Sequence, residues 1–390
     1  MAEAVSPPNC KDSDAFMPNN RLLIQVVPQL KPAACGVSDH AISLAHELEA
    51  GFGIDTAFVV LNSTEPCDSS FPKVYCKPAQ LVEACNSLSK GQPGALLIHY
   101  SGYGYSPDGA PFSLAEAIKQ ARRNRQFRIG AYIHELYANG KPWTSAFWYS
   151  HRQRQVVRRI ARECDMIATN LNSQADWIDR EIGEGGDTPI QRLPVFSNVG
   201  ESVEIQGMRA RRPAMTVIGL PHTRQESYKR LARLGNLLSG LGIEEIVDIG
   251  SECNAPTTLS GIPVRRVGVL AAADLGNMLA KSMFGFVPYS WFSLAKSGIF
   301  AGLCAHGAIP VIAESFAKEV DGLTDGIQMI SPRTAKAAAS AGLERCSREA
   351  WNWYSRHRLS VHAATYSRLL VRSATGAGPE VFASFNAVGS

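Results

Sequence analysis

Residues able to do chemistry gather where apolar runs of this chain give way to polar, glycine-containing loops. The run RIGAYI ends in His134 and Glu135, which should project from the carboxyl edge of a strand. An imidazole beside a carboxylate is a hydrogen-bonding pair whose proton affinity its surroundings can tune. A histidine satisfied by backbone would look the same, but the loop that follows, LYANGKPWTSAFW, favours a site. After the run ALLIH, the stretch HYSGYGYSPDGAP offers His99, Ser101, Gly102, Tyr103 and Gly104, a composition suited to stacking and hydrogen bonding against a sugar or base. Turn geometry alone also uses such glycines.

Three further stretches suit an anion. Gly36 and Ser38 follow a proline loop and open a helix, where free N–H groups and the helix dipole favour negative charge; an ordinary helix cap explains Gly-Val-Ser-Asp equally well. Arg224 and Lys229, five apart in a loop entering a helix, are placed to meet a diphosphate by a planar fork and a point charge, while Arg230 and Arg233 fit a solvated helix face. The segment SLAKSGIFAGLCAHGAIPVI, Ser293 to Ile312, sets Lys296, Ser297 and Gly298 at a turn into a helix. Helix N-terminal N–H groups plus an ammonium can neutralise a leaving diphosphate there. Ala301, Gly302 and Ala305 are small enough for close helix-on-sheet packing, a reading that concerns the other face of the same helix.

The elements that must hold these residues alternate. RLLIQVV, DTAFVV, ALLIHY, RIGAYI and DMIATN are strand runs with little polar alternation, separated by helical patterns, which predicts a parallel sheet covered on both faces. After LPVFSNVGESVEIQGMRARRP the pattern restarts with AMTVIGL, a helix over TRQESYKRLARLGNLLSG, the strand IEEIVDIG, the helix AAADLGNMLAK and the strand FGFVPY. Two such units predict an α/β protein of two Rossmann-like domains facing across a cleft, with strand-end loops aimed into it. The expected division is a flexible tail over 1–20, domains over 21–196 and 214–345 joined by a linker over 197–213, and a helical segment and tail over 346–390. In that last segment Trp351, Tyr354 and Leu359 fit one long or broken helix.

A chain of 390 residues with 45% hydrophobic content is long enough for two cores. A net charge of +4 is too small to point to nucleic acid. The nine cysteines show no CxxC and no Cys/His cluster with zinc spacing, so free thiols in a reducing cytoplasm are expected, without a metal. The first twenty residues lack the basic start and apolar core of a secretory signal, and no run reaches the roughly 18 to 20 apolar residues of a membrane span. Arg122, Arg123, Arg125, Arg152, Arg154, Arg158, Arg159 and Arg162 lie near Trp143, Phe147 and Trp148. A basic, aromatic face of this kind suits an anionic membrane surface; a solvated face with intrahelical ion pairs would share its composition.

From Leu22 to about Ala313 the chain resembles GT-B glycosyltransferases, most closely the retaining family-four type of polysaccharide and lipid-glycan clusters. The resemblance rests on Cys35-Gly36-Val37-Ser38-Asp39 after the first strand, on His134-Glu135, and on the basic pair Arg224 and Lys229. It departs at the family's paired glutamates: aligning through Gly307, with one residue inserted before Pro310, puts Leu294 and Gly302 where the two acids stand. The resemblance implies transfer of a sugar from a UDP- or GDP-sugar, which is substrate rather than resident cofactor, without a metal. The acceptor would be a glycan or lipid-linked molecule in polysaccharide or glycolipid synthesis, reached from the cytoplasm or the inner membrane face. Gly36, Ser38, Arg224, Lys229, Lys296, Ser297 and Gly298 would hold the donor. Asp39, His99, Ser101 and Tyr103 would face the sugar or acceptor, with His134 and Glu135 at the reacting centre. In a retaining reaction the leaving phosphate can accept the acceptor's proton; in an inverting one Glu135 or Asp39 is the candidate base. The alternative is a catalytically silent GT-B protein acting as a binding or assembly partner. A Rossmann oxidoreductase is disfavoured because no GxGxxG with a downstream ribose-binding acid follows either first strand.

Overall fold

The computed structural model describes residues 21–30, 36–63, 70–138, 142–183, 188–335 and 340–371. The expected tail over 1–20, the position of Cys67 and the last nineteen residues lie outside this set. The N-terminal half runs β1 (Leu22–Val27), α1 (Gly36–Phe52), β2 (Asp55–Val60), β3 (Lys73–Tyr75), α2 (Leu81–Ser89), β4 (Gly94–Ser101), α3 (Gly102–Tyr105), α4 (Phe112–Arg123), β5 (Phe127–Glu135), α5 (Ser145–Glu163), β6 (Met166–Thr169), α6 (Asn172–Ile182) and β7 (Ile190–Arg192). Its strands form one parallel sheet in the order β3-β2-β1-β4-β5-β6-β7.

Both faces of that sheet are buried, which is why its strands carry so little polar alternation. Leu23, Leu97 and Tyr132 turn to one face with Leu44 and Leu48 of α1. Ile24, Leu96 and Ile98 turn to the other, against Leu114 and Ile118 of α4 and Val156 and Ile160 of α5. On a period of two, the polar residues Gln25, His99 and His134 share the α1 face.

The second half repeats the design with β8 (Arg212–Ile218), α7 (Pro221–Leu231), α8 (Gly235–Gly240), β9 (Glu245–Ile249), β10 (Thr258–Leu259), β11 (Ile262–Gly268), α9 (Ala272–Lys281), β12 (Ser282–Val287), α10 (Gly298–Ala305) and β13 (Ile309–Ile312). The order is β10-β11-β9-β8-β12-β13, parallel except for the β10/β11 hairpin. In each sheet the strand order reverses beside the first strand, between β1 and β4 and between β8 and β12. Those reversals open crevices at the carboxyl ends of the strands, where ligands of such sheets bind.

The helix expected over TRQESYKRLARLGNLLSG is two helices, because a turn closed by the Leu234 N–H on the Leu231 carbonyl (2.8 Å) intervenes before Gly235. The final segment is likewise broken, into α11 (Ser340–Ser355) and α12 (Leu359–Tyr366), followed by a wide helical turn over Ser367–Val371. α11 packs on α10, whereas α12 returns to lie on α1 and the last turn reaches β4 and β5. Gly130 of β5 makes that return possible, since a Cβ there would collide with the Leu370 side chain. The connector is tied down from the same helices: the Ser197 N–H donates to Tyr354 Oη at 2.9 Å, and Tyr354 Oη donates to Glu201 Oε1 at 2.5 Å.

Candidate functional site

A cavity of about 660 Å³ lies between the two halves at the carboxyl ends of both sheets. That size falls within the roughly 300 to 1,000 Å³ of small-molecule sites. One wall comes from the N-terminal half: Gly36 and His40 of α1, Ser101 at the end of β4, and His134 and Glu135 at the end of β5. The opposite wall is Tyr289, Phe292, Ser293, Lys296, Ser297 and Gly298, and Phe196 and Asn198 of the connector close the floor.

Local sequence explains the C-terminal wall. Ser297 takes an extended backbone and its Oγ accepts the Phe300 N–H at 3.2 Å, which starts α10. Gly298 leaves open space at the helix mouth: a Cβ there would come only within 3.9 Å of Asn198 Oδ1. The helix ends at Gly307, whose φ of 67° suits a residue without a side chain. The N–H groups of Gly307 and Ala308 bond the Cys304 and Leu303 carbonyls at 3.1 and 3.0 Å, turning the chain sharply into β13.

Across the cavity, Lys296 Nζ stands 3.5 Å from Glu135 Oε1. This pair joins the two halves at the mouth and separates the first cavity from a second of about 590 Å³, which shares Glu135, Phe292, Ser293 and Lys296 and reaches Tyr103 and Gln153. Tyr103 therefore lines the neighbouring compartment, its hydroxyl accepting from Gln153 Nε2 at 3.1 Å.

Behind His134 lies a buried group of imidazoles. His40 is stacked between Tyr132 and Phe196 at ring-centroid separations of 4.6 and 4.2 Å. His134, His362 and His99 meet it edge-on at 5.2, 5.5 and 5.6 Å. His99 is fully buried beneath the site, not in its wall. Burial holds His134 down at about 3 and His362 at about 4, and pushes His40 and His99 well below the ordinary histidine value, because the packed rings around them solvate a charged imidazole poorly. The four are thus neutral rings near neutral pH. His40 Nε2 has no hydrogen-bond partner among the described residues. Among the described residues no group of His, Cys, Asp or Glu has the geometry to hold a metal ion.

Other expected site residues are placed elsewhere. Ser38 is buried, its hydroxyl donating to the Gln29 carbonyl at 2.8 Å, so it fastens the start of α1 rather than facing a ligand. Asp39 is half-buried and outside the cavity lining; burial raises its carboxyl, opposed by a hydrogen bond with Asn198. Arg224 is 1% exposed, with its guanidinium on Asp248 and on the Gly219 carbonyl, while Tyr228 donates to the other Asp248 oxygen at 2.7 Å. The expected diphosphate contact at Arg224 gives way to an internal ion pair. Lys229, 140° round the helix from Arg224 on roughly 100° per residue, is exposed on α7 and outside the cavity wall.

Leu294 is fully buried in the core, and Gly302 packs towards Val199 and Leu279, so the positions aligned with the two acids serve packing. His40, Asn170, Phe196, Asn198, Tyr289 and Phe292 also line the cavity without having been singled out in the sequence. His40 alone had a signal: it stands four residues after Gly36, one turn along the same helix face.

No family model matches the chain, and no curated protein matches it. Solved structures do. An alpha-glucosyltransferase in complex with UDP and a 13-mer DNA containing a HMU base aligns at TM-score 0.55 and 12% identity, over 89% of this chain and 98% of its own. The pneumococcal O-GlcNAc transferase GtfA, in complex with UDP and GlcNAc, aligns at 0.55 and 8%, over 91% and 99%. A protein of Listeria monocytogenes assigned as a UDP-N-acetylglucosamine 2-epimerase aligns at 0.53 and 11%, over 89% and 96%. At such identities the likeness is one of fold. The chain has the GT-B arrangement, two Rossmann-like domains facing across a cleft.

Proposed function

We propose that the chain is a glycosyltransferase that moves a sugar from a nucleotide-sugar donor to a glycan or lipid-linked acceptor. One observation carries this reading: His134 and Glu135, at the end of a strand in one half, face Lys296 and the amino terminus of α10 in the other across a single cavity. An ammonium and free N–H groups on one wall can neutralise the charge that grows on a departing diphosphate. A neutral imidazole and a carboxylate on the other suit a sugar. The donor is expected to be uridine-linked, as in the UDP complexes that share the fold, with a GDP-sugar the next to test. No metal is required by this account, because the charge is met by Lys296 and backbone.

A retaining course fits best. Glu135 is tied to Lys296, and the leaving phosphate itself can take the acceptor's proton. Gly36 and Gly298 leave room for backbone approach on either side of the cavity, while Ser101 and the second compartment reaching Tyr103 lie on the acceptor side. Trp143 and Trp148 are 78% and 70% exposed near the start of α5, which suits contact with a membrane carrying a lipid-linked acceptor. The arginines of that face contribute less than their number suggests: Arg122 pairs with Asp165 at 2.8 Å, Arg152 with Asp108 at 3.4 Å and Arg158 with Glu181, and Arg154 and Arg159 lie over Tyr137 and Phe112. Aromatic insertion would therefore dominate, so binding to neutral vesicles should persist and the double variant Trp143→Ala/Trp148→Ala should lose it.

The competing reading, a catalytically silent binding partner, draws on Leu294 and Gly302 in the places of the paired acids. Turnover of a panel of UDP-, GDP- and ADP-sugars separates the two. Release of nucleoside diphosphate from one donor, lost in Lys296→Ala, supports the enzyme; no release from any donor supports the silent protein.

A further inference from the structure

A line of hydrogen bonds crosses three neighbouring strands beneath the cavity. Gln25 Nε2 on β1 donates to the Ala41 carbonyl of α1 at 3.0 Å, Gln25 Oε1 lies 2.6 Å from His99 Nε2 on β4, and His99 Nδ1 lies 3.3 Å from His134 Nε2 on β5. Gln25 and His99 are both fully buried.

The direction of each bond follows from its neighbour. A carbonyl oxygen only accepts, so the amide nitrogen of Gln25 must face Ala41 and its oxygen must face His99. His99 Nε2 therefore carries a proton and donates. A neutral imidazole has one N–H, so His99 Nδ1 is the acceptor, and His134 Nε2 must be the donor to it. His134 then holds its single proton at Nε2. Its Nδ1, which makes no hydrogen bond among the described residues, is left as a lone pair on a ring that lines the cavity.

We propose that Gln25, acting through His99, fixes the tautomer of His134 so that this corner of the cavity accepts a hydrogen bond from a ligand hydroxyl and disfavours a phosphate oxygen. Gln25 and His99 are positioning residues, for neither reaches the cavity; His134 makes the contact. Burial supports the argument by keeping both histidines neutral. The inference rests on the nucleotide-sugar reading and adds an orientation to it. The hydroxyl-bearing ring lies against His134, and the anionic end lies against Lys296, Ser297 and Gly298. A lone pair facing a phosphate oxygen would be repulsive, so the reversed pose is disfavoured by both ends at once.

The test is the nitrogen spectrum of the full-length protein labelled with ¹⁵N only in histidine, the His134 signals being assigned by their loss in His134→Gln. The wild type should show a protonated Nε2 and a bare Nδ1 at His134, with His134→Gln shown by circular dichroism to be folded before it is used for the assignment; a proton on Nδ1 overturns the proposal. In Gln25→Met, shown by circular dichroism to be folded, His99 loses its acceptor and His134 should become a mixture of tautomers. An unchanged single tautomer there overturns the role of Gln25. Titration with UDP keeps the two claims apart. UDP affinity should be the same within roughly twofold in wild type and Gln25→Met, since one hydrogen bond at the far end of the cavity is altered. Failure of the wild type to bind UDP would remove the nucleotide-sugar reading while leaving the tautomer result to stand or fall on its spectrum.

Discussion

Lys296 and Glu135 meet across the cleft at 3.5 Å, one from each half of the chain, and neither is buried: their side chains are 36% and 54% exposed. A pair so placed contributes little to stability, on the order of 0 to 1 kcal/mol. Its charges can be reassigned to a ligand at small cost. On the proposed reading a diphosphate arriving at Lys296 would compete with Glu135 for the ammonium, so donor binding would release the carboxylate.

Replacing Lys296 by alanine should therefore weaken UDP binding by roughly five- to thirtyfold, the range of one to two kcal/mol for a charge-assisted contact. The unfolding free energy should change by less than about 1 kcal/mol. Calorimetric titration and urea unfolding measure the two numbers on the same sample. Unaltered UDP affinity would remove Lys296 from the donor site.

Glu135→Gln tests the stereochemical course. With the leaving phosphate as base, kcat should fall by less than about tenfold, whereas loss of a general base costs roughly a hundred- to ten-thousandfold. The anomeric configuration of the product, read by NMR, is the independent check: retention is expected.

Arg224 should behave in the opposite way to Lys296. Asp248→Ala strands a buried guanidinium, and removal of one partner of such a pair costs about 3 to 5 kcal/mol. The expected outcome is a large fall in the urea midpoint, with UDP affinity retained by whatever fraction stays folded. A selective loss of UDP binding in a fully stable protein would return Arg224 to the site.

The histidine group predicts how stability depends on pH. His134 at about 3 and His362 at about 4, with His40 and His99 also held down, stay neutral in the folded chain while the unfolded chain binds protons below about 6.5. Between these values the unfolded state holds more protons, so unfolding free energy rises with pH. Stability is therefore lost as pH falls from about 6.5 towards 4, each such histidine adding a slope of up to about 1.4 kcal/mol per pH unit. Urea unfolding at pH 7.5, 6 and 5 should show a midpoint that drops at each step, with a smaller drop in His362→Asn if that variant folds.

The fold was largely readable because buried parallel strands announce themselves as apolar runs, and five such runs precede the break near Pro194. Short edge strands carried no such run. Lys73–Tyr75 and Ile190–Arg192 are only partly buried, and Thr258–Leu259 is two residues long, so periodicity had nothing to register. Strand ends were also legible: His134, Glu135 and Lys296 were found by their position after a run or at a turn, and the fold brings them to one cavity. Arg224 shows the limit of that reasoning. Its place near a strand end suits a ligand, but only tertiary structure reveals Asp248, twenty-four residues away on β9, pointing at it. His362 and the chain from Gln25 to His134 were hidden for the same reason, since α12 reaches α1 only after the chain has crossed both halves.

The most direct test of the donor site is a crystal structure of the chain with UDP bound. The account predicts the diphosphate within hydrogen-bond distance of Lys296 and of the N–H groups opening α10, with no phosphate oxygen in contact with His134. UDP bound outside this cavity, or a diphosphate resting on an opened Arg224 with Lys296 still on Glu135, would contradict it.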